Sequence, residues 1–276
     1  MMLIPDFFPS LDFVLACLVL GAVAGFFAGM LGIGGGTLLV PILVMLLEQQ
    51  QVTPDHILHL ALGTSMAAIV VSAFVSLRTH HAHGAVDWPV VRLMTVGVLL
   101  GTALGTFIAR LVSTQTLSVF FAVFIAYIAI NMLVGLKPKP SRQLPGPAGL
   151  IAVGGGIGTI SALVAVGGGA MTVPFLTWCN RDIRNAIGTS AALGLPIALG
   201  GTVGYVVNGW DVQGMPAQVL GYVHLPALAA ILCTSVFTTP WGARAAHRLP
   251  ATLLKRVFAT LLVVLCARML WKLWAA

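Results

Sequence analysis

The stretch Leu31–Leu43, LGIGGGTLLVPIL, contains three consecutive glycines inside an apolar run. Because each glycine weakens a helix by about 1 kcal/mol relative to alanine, the run predicts that a helix is interrupted there. Of the 276 residues, 59% are hydrophobic and 8% are charged, whereas soluble domains have about 25% charged residues. The predicted interruption therefore falls inside a membrane-embedded segment.

Long stretches of the chain lack Asp, Glu, Lys, Arg and His altogether. They are Phe13–Leu47, Leu111–Leu136, Gln143–Asn180 and Asn185–Trp210. Since one bilayer crossing takes about 20 apolar residues, the first and third stretches are long enough for more than one pass. We therefore predict an all-α polytopic membrane protein whose surroundings are the lipid bilayer. The net charge of +7 resides mostly between the apolar runs, where it serves topology, and we expect no nucleic-acid partner.

The interruption occurs twice along the chain. Val153–Leu176, VGGGIGTISALVAVGGGAMTVPFL, repeats Leu20–Leu43 at a shift of 133, and AIGTS at Ala186–Ser190 repeats ALGTS at Ala61–Ser65. Between the glycine run and the second motif the first copy has eight extra residues, which we assign to a polar connection around EQQQVTPDH. This tandem duplication, common among transporters, predicts a first membrane repeat at 1–136, a cytoplasmic linker at 137–147 and a second repeat at 148–276.

Each repeat is predicted to contain a glycine-broken first segment, either re-entrant or made of short helices, and three further helices. The further helices are expected at 60–78, 90–110, 115–136, 185–207, 217–243 and 252–274. If each break returns the chain to its starting face, the repeats have inverted topology, and the loops divide eleven Lys and Arg residues against three. Eight plain spans would divide them seven against seven. Because cytoplasmic loops concentrate Lys and Arg, we predict inverted repeats with both termini outside the cytoplasm.

Paired breaks at membrane depth suggest a binding site. Unpaired backbone groups in the membrane are tolerated only inside protein or along a wet cavity. Helices restarting at Thr37 and Ala170 would direct free N–H groups and partial positive charge into such a cavity, which suits an anion. GxxxG spacing elsewhere, as at Gly97, Gly101 and Gly105, is instead expected to serve close helix packing. The hydroxyls of the two GTS motifs could bind the anion or bond within their own helices.

The run GFFAGMLGIGGGTLLVPIL, the ALGTS that follows it and their second copies resemble the TauE/SafE family of sulfite and organosulfonate transporters, also called toluene-sulfonate uptake permeases. The resemblance covers the whole chain and implies transport of small sulfur-containing anions such as sulfite, sulfoacetate or related sulfonates. The second copy departs from the first, because it lacks counterparts of Gly32 and Thr37. The predicted substrate-binding residues are Gly34, Gly35, Gly36, Thr37, Thr64, Ser65, Gly167, Gly168, Gly169, Thr189, Ser190 and Arg184.

Several functional alternatives remain open at this point. We expect an exporter of the plasma (inner) membrane driven by the membrane potential, with no catalytic residue, metal or cofactor, and with a homodimer as one option for its assembly. Within the apolar segments, His224 is the one candidate proton carrier that we identify. An anion-selective channel is the first alternative. An intramembrane hydrolase using Ser65 or Ser190 is the second, and it lacks an evident base.

Overall fold

The fold is almost entirely helical in the computed structural model, which describes residues 10–31, 35–50, 52–134, 141–216, 218–248 and 251–275. The elements of this part of the chain are α1 (Leu11–Leu31), α2 (Gly36–Gln49), α3 (Pro54–Ala82), α4 (Trp88–Leu111), α5 (Thr114–Val134), α6 (Pro147–Val164), α7 (Gly169–Trp178), α8 (Ile183–Gly209), β1 (Val219–Leu220), β2 (Val223–His224), α9 (Leu225–Arg248) and α10 (Ala251–Ala275). Seven helices of the described residues are long and apolar enough to cross a membrane. The predicted all-α polytopic class is confirmed.

The first segment of each half is a helical hairpin that returns to the end of the molecule where it began. In the first half, Gln50 Nε2 donates a hydrogen bond to Ser10 Oγ at 3.1 Å, so α2 ends where α1 starts. In the second half, the backbone N–H of Ser141 donates to the Trp178 carbonyl at 3.2 Å. α2 and α7, at 14 and 10 residues, measure about 21 and 15 Å, too short for a hydrocarbon layer of about 30 Å.

The long hairpin helix of each half packs against a helix of the other half. α1 packs along α9, and α6 packs along α4. The predicted role of Gly97, Gly101 and Gly105 in close packing is confirmed, because a Cβ at Gly101 would overlap the Gly155 carbonyl of α6. At the equivalent contact, a Cβ at Gly242 of α9 would overlap the Phe26 carbonyl of α1. The same packing thus recurs in both halves, while the boundary at 137–147 stays a prediction.

α3 and α8, the two helices that carry the GTS motifs, cross at the centre of the molecule in opposite directions. Within the first half of α3, Met66 Sδ lies 3.0 Å from where a Cβ of Gly201 would stand, late in α8. Just after the end of α3, the Ala85 carbonyl lies against Gly188, early in α8. Two equivalent helices therefore run antiparallel.

Two details of the sequence prediction are wrong. The eight extra residues of the first half form helix rather than a polar connection: α2 is four residues longer than α7, and the GTS motif begins four residues further into α3 than into α8. α9 begins at Leu225 instead of residue 217, because a two-stranded hairpin precedes it. Gly221 in that hairpin has φ +56° and lies against the Val206 carbonyl, so a side chain there would be strained and crowded.

Candidate functional site: the two helix breaks

The first break joins α1 to α2 through a left-handed glycine. α1 ends at Leu31 and α2 begins at Gly36, one residue before the predicted restart at Thr37. Gly35 has φ +66°, a conformation that glycine adopts without steric cost. Gly34, a predicted site residue, lies outside the described residues. The predicted interruption of the helix is confirmed on both sides of that gap.

The second break has its left-handed residue at the end of the preceding helix instead of before the next one. α6 ends at Val164, Ala165 adopts φ +45°, and α7 begins at Gly169, again one residue before the predicted restart, at Ala170. Gly167 and Gly168 between the helices are non-helical, and both are buried. The buried Tyr205 hydroxyl of α8 donates to the Ala162 carbonyl at 2.9 Å, so one carbonyl in the last turn of α6 is satisfied from α8.

The two breaks touch each other beside the middle of the central helices. A Cβ at Gly36 would overlap the Ala165 carbonyl oxygen and stand 2.7 Å from Ile69 Cδ1, and Ile69 lies near the midpoint of α3. A Cβ at Gly168 would stand 3.1 Å from Cδ1 of Ile197, near the midpoint of α8. Glycine is therefore required by backbone contact at Gly36, whereas at Gly168 the nearest atom belongs to a flexible side chain.

Both short helices begin without a side-chain cap. The residues that precede them, Gly35 and Gly168, offer no side chain to accept from the first N–H groups of α2 and α7. Those N–H groups carry the positive end of the helix dipole. Two hydroxyls in the first turns are fully buried without a hydrogen-bond partner in the described structure: Thr37 Oγ1 in α2 and Thr172 Oγ1 in α7.

A small crevice adjoins the second break. It is lined by Ala28, Ile69, Ser72, Ala73, Ser76, Gly167, Gly168, Ser190, Ala191 and Gly194. Ser190 is 1% exposed, and its Oγ has no hydrogen-bond partner within the described part of the chain. A second, smaller crevice beside Gly35 shares Ala28 and Ser72 with the first. Of the predicted site residues, Gly35, Gly167, Gly168 and Ser190 line these spaces, and their role in binding stays a prediction.

The threonines of the two GTS motifs make equivalent hydrogen bonds. Thr64 Oγ1 accepts from the backbone N–H of His224 at 2.9 Å, and Thr189 Oγ1 accepts from that of Asp87 at 3.0 Å. His224 and Asp87 immediately precede α9 and α4. Each threonine therefore fastens the start of another helix to a central helix. Ser65, the counterpart of Ser190, is fully buried and lines neither crevice.

Arg184 lies apart from the crevice lining. Its side chain is exposed near the start of α8, and its backbone N–H donates to the Asp182 carboxylate at 3.2 Å. Nearby, Arg181 pairs with Asp87 at 3.5 Å. We call this side of the molecule, marked by Gly84, Ser141 and Asn180, the basic end. The other side, marked by Ser10, Gln50, Ser113 and Trp210, is the opposite end.

Sequence reasoning missed several polar groups that the fold brings between the helices. Ser72 and Ser76 line the crevice one helical turn apart on α3. Their spacing could have shown that they share a face, although not which face. His59 is 5% exposed, with Nε2 donating to the Ala109 carbonyl at 2.8 Å and its ring stacked on Tyr222. His59 and His224 are thus both buried. His224 caps α9, because its Nδ1 accepts a hydrogen bond from the backbone N–H of Ala227.

Comparison with known protein sequences places this chain among membrane transporters. The sequence profile of the family described as "Sulfite exporter TauE/SafE" matches residues 17–269. A "Probable membrane transporter protein" of Haemophilus influenzae is 39% identical over 263 residues, covering 94% of this chain and 99% of that protein. Probable membrane transporter proteins of Xylella fastidiosa and Methanocaldococcus jannaschii are 29% and 22% identical, over 93% and 90% of this chain and 94% and 92% of their own lengths. No solved structure matches the chain.

Proposed function

The chain belongs to the sulfite exporter TauE/SafE family, and on that premise we propose that it carries small sulfur-containing anions, such as sulfite, sulfoacetate or related sulfonates, out of the cell. One observation carries the proposal: the crevice joins the uncapped start of α7 to the Ser190 hydroxyl, which has no partner in the described structure. Buried polar groups are seldom left unpaired. A bound oxyanion would accept hydrogen bonds from both.

The antiparallel central helices support inverted repeats. α3 and α8 carry the same motif at equivalent positions and run in opposite directions, and the contacts of α1 with α9 recur between α6 and α4. A symmetry operation that relates the two repeats and reverses the direction of a membrane-spanning helix also exchanges the two sides of the membrane. The inverted topology and the midplane site are the features by which such carriers alternate access.

The distribution of basic residues supports an orientation with the basic end in the cytoplasm. Among the arginines with described side chains, two lie at the opposite end, Arg110 and Arg268, and seven lie at the basic end: Arg78, Arg92, Arg142, Arg181, Arg184, Arg244 and Arg256. Positive residues favour cytoplasmic loops, so both termini would lie outside. Impermeant thiol reagents on right-side-out and inverted vesicles test this, with single cysteines at Ala82 and Gln213 in a cysteine-free background. We expect Ala82→Cys to react from the cytoplasmic side and Gln213→Cys from the outside. The reverse pattern, or labelling of both from one side, would overturn the orientation.

Outward movement of an anion needs no coupling ion in this orientation. Moving one negative charge out of a negative-inside cell releases about 2.3 kcal/mol per 100 mV. The residues lining both crevices include no Asp, Glu or His, so no proton-binding group adjoins the proposed path there. We therefore propose a uniporter driven by the membrane potential.

The contacts around Ser65 and Ser190 argue against the hydrolase alternative. A serine nucleophile needs a base within hydrogen-bond reach, and neither Oγ has any hydrogen-bond partner among the described residues. A channel is also less well supported, because on the opposite-end side of the breaks the Tyr222 carbonyl lies against Gly63 and Met66 packs on Gly201. The crevice is thus closed on one side, as a carrier requires.

Flux from proteoliposomes tests the proposed function. The purified full chain should release radiolabelled sulfite or methanesulfonate in a saturable manner, faster when the membrane potential drives anions outward. Flux that ignores voltage and follows a proton or sodium gradient would refute the uniport mechanism. Unitary currents would indicate the channel, and no flux of any anion, while the protein remains folded, would refute transport of this class.

A further inference from the structure

We infer that the crevice selects one negative charge, so that the transported species are monoanions such as hydrogen sulfite and sulfonates rather than the sulfite or sulfate dianions. This inference rests on the proposed function and deepens it. It concerns the amount of positive charge that the protein presents to the bound anion.

The positive charge at the breaks comes from helix ends alone. The residues that line the two crevices include no Lys, Arg or His, and the undescribed residues 32–34 are Gly, Ile and Gly. A helix N-terminus is equivalent to about half an elementary charge. α2 and α7 both begin at the breaks without a side-chain cap. Together they supply at most about one positive charge, because the C-terminal ends of α1 and α6, which carry partial negative charge, lie at the same breaks. The helix ends can therefore balance no more than one negative charge.

Buried hydroxyls supply the second, independent indication of a ligand. Ser190 lines the crevice, is 1% exposed and has no partner for its Oγ in the described structure. Thr37 Oγ1, fully buried in the first turn of α2, is likewise unpartnered in the described structure, although Thr37 lines neither crevice. A hydroxyl can donate one hydrogen bond to an anion oxygen, but it adds no net charge. Hydroxyls therefore bind the oxygens of a sulfonate or hydrogen sulfite without compensating a second charge.

The nearest basic side chain along α8 is too remote to compensate the second charge of a dianion. Arg184 precedes Ser190 by six residues, which is about 9 Å along a helix axis, and its side chain is exposed. At that distance water and salt screen much of its charge, since the screening length is about 8–10 Å. The second charge of a dianion would thus enter the crevice uncompensated. We expect at least tenfold discrimination, which corresponds to about 1.4 kcal/mol.

Comparing the fluxes of three anions distinguishes the effect of charge state from the effect of chemical identity. In proteoliposomes of the full chain, methanesulfonate remains a monoanion at every accessible pH and sulfate remains a dianion. Sulfite changes between the two states near neutral pH. We expect methanesulfonate flux to be independent of pH, sulfate flux to be at least tenfold slower, and sulfite flux to fall in proportion to the hydrogen sulfite fraction as pH rises. The methanesulfonate series controls for titration of the protein itself.

A charge added to the crevice wall provides the matched test. Ser76 lines the crevice on the turn nearest the basic end and is half-buried, so the ammonium of Ser76→Lys can stay hydrated. Ser76→Lys should raise the ratio of sulfate to methanesulfonate flux several-fold, whereas the uncharged Ser76→Met should leave it unchanged. If Ser76→Lys does not fold, the wild-type pH series still decides the question.

The possible failures are distinguishable. Sulfate flux equal to methanesulfonate flux, or sulfite flux that rises with the dianion fraction, would overturn the monoanion inference and leave the transport function intact. Absence of methanesulfonate and sulfite flux at every pH would instead refute the proposed function.

Discussion

Replacing Gly36 by alanine tests whether contact between the two breaks holds the site together. The added Cβ would overlap the Ala165 carbonyl oxygen and stand 2.7 Å from Ile69 Cδ1. Ile69 can rotate its terminal methyl, but the carbonyl belongs to the backbone of the other break and can move only with it. The substitution therefore separates the breaks or displaces one of them.

The magnitude follows from two opposing terms. Overpacking against fixed atoms costs about 1–3 kcal/mol, and the upper value applies because the atom met is backbone. Alanine recovers up to about 1 kcal/mol of helix propensity at the first residue of α2. The expected net loss is about 2 kcal/mol in the free energy of unfolding. Because the substitution also shifts the N-terminus of α2, we expect anion flux to fall at least tenfold.

The matched control is Gly156→Ala in α6, where an added Cβ meets no atom within 4 Å. Its thermal unfolding temperature in detergent should equal or exceed that of the wild type, with unchanged flux. Gly36→Ala should unfold at a lower temperature and transport poorly. If the two variants are equally stable and active, the breaks do not depend on their mutual contact, and the proposed site geometry is wrong.

Two further substitutions separate structural hydroxyls from binding hydroxyls. Thr64→Val should destabilise the protein by about 1–3 kcal/mol, because it leaves the buried N–H of His224, which precedes α9, unpaired. Thr189→Val should destabilise it less, since the N–H that Thr189 accepts from, that of Asp87, is only part-buried. Thermal unfolding measures both effects, and serine at either position is the conservative control. Ser190→Ala should leave the unfolding temperature unchanged or slightly raised, because Oγ has no partner in the described structure to lose, yet it should weaken anion affinity about tenfold in equilibrium binding. Equal destabilisation by Ser190→Ala and Thr64→Val would contradict this division.

The helix breaks were predictable because local chemistry produces them. Three adjacent glycines weaken a helix wherever they occur, and their recurrence at a constant shift indicates a second copy. In the structure each helix restarts one residue earlier than predicted, at Gly36 and Gly169. The partner that makes Gly36 indispensable, the Ala165 carbonyl, belongs to the other half of the chain. The sequence alone does not show that Gly36 and Ala165 lie in contact in the fold.

The roles of the hydroxyls could not be divided from the sequence. Thr64 and Ser65 are adjacent and both polar, and they differ only in what the fold brings to them. Thr64 meets an N–H from the hairpin before α9, a hairpin that was predicted as helix. Ser65 meets no partner in the described structure, and its counterpart Ser190 lines the crevice. Tertiary contacts, rather than residue types, decide which hydroxyl fastens helices and which is left free for a ligand.

The unequal environments of Ser65 and Ser190 yield a prediction about conformational exchange. Ser190 lines the crevice, whereas Ser65, its counterpart on α3, is fully buried, and its neighbours Gly63 and Met66 pack against Tyr222 and Gly201. If the repeats are inverted, exchanging their conformations opens the Ser65 side and closes the Ser190 side.

Single cysteines in a cysteine-free background, treated with a membrane-impermeant thiol reagent, measure this exchange. Ser190→Cys should react from the side of the basic end and Ser65→Cys from the opposite side. A substrate concentration that raises one rate should lower the other, because both report a single equilibrium between two states. Ser161→Cys, fully buried and outside both crevices, should react from neither side. Simultaneous labelling of Ser65→Cys and Ser190→Cys from one side would mean a continuous aqueous path, which is a channel and not a carrier.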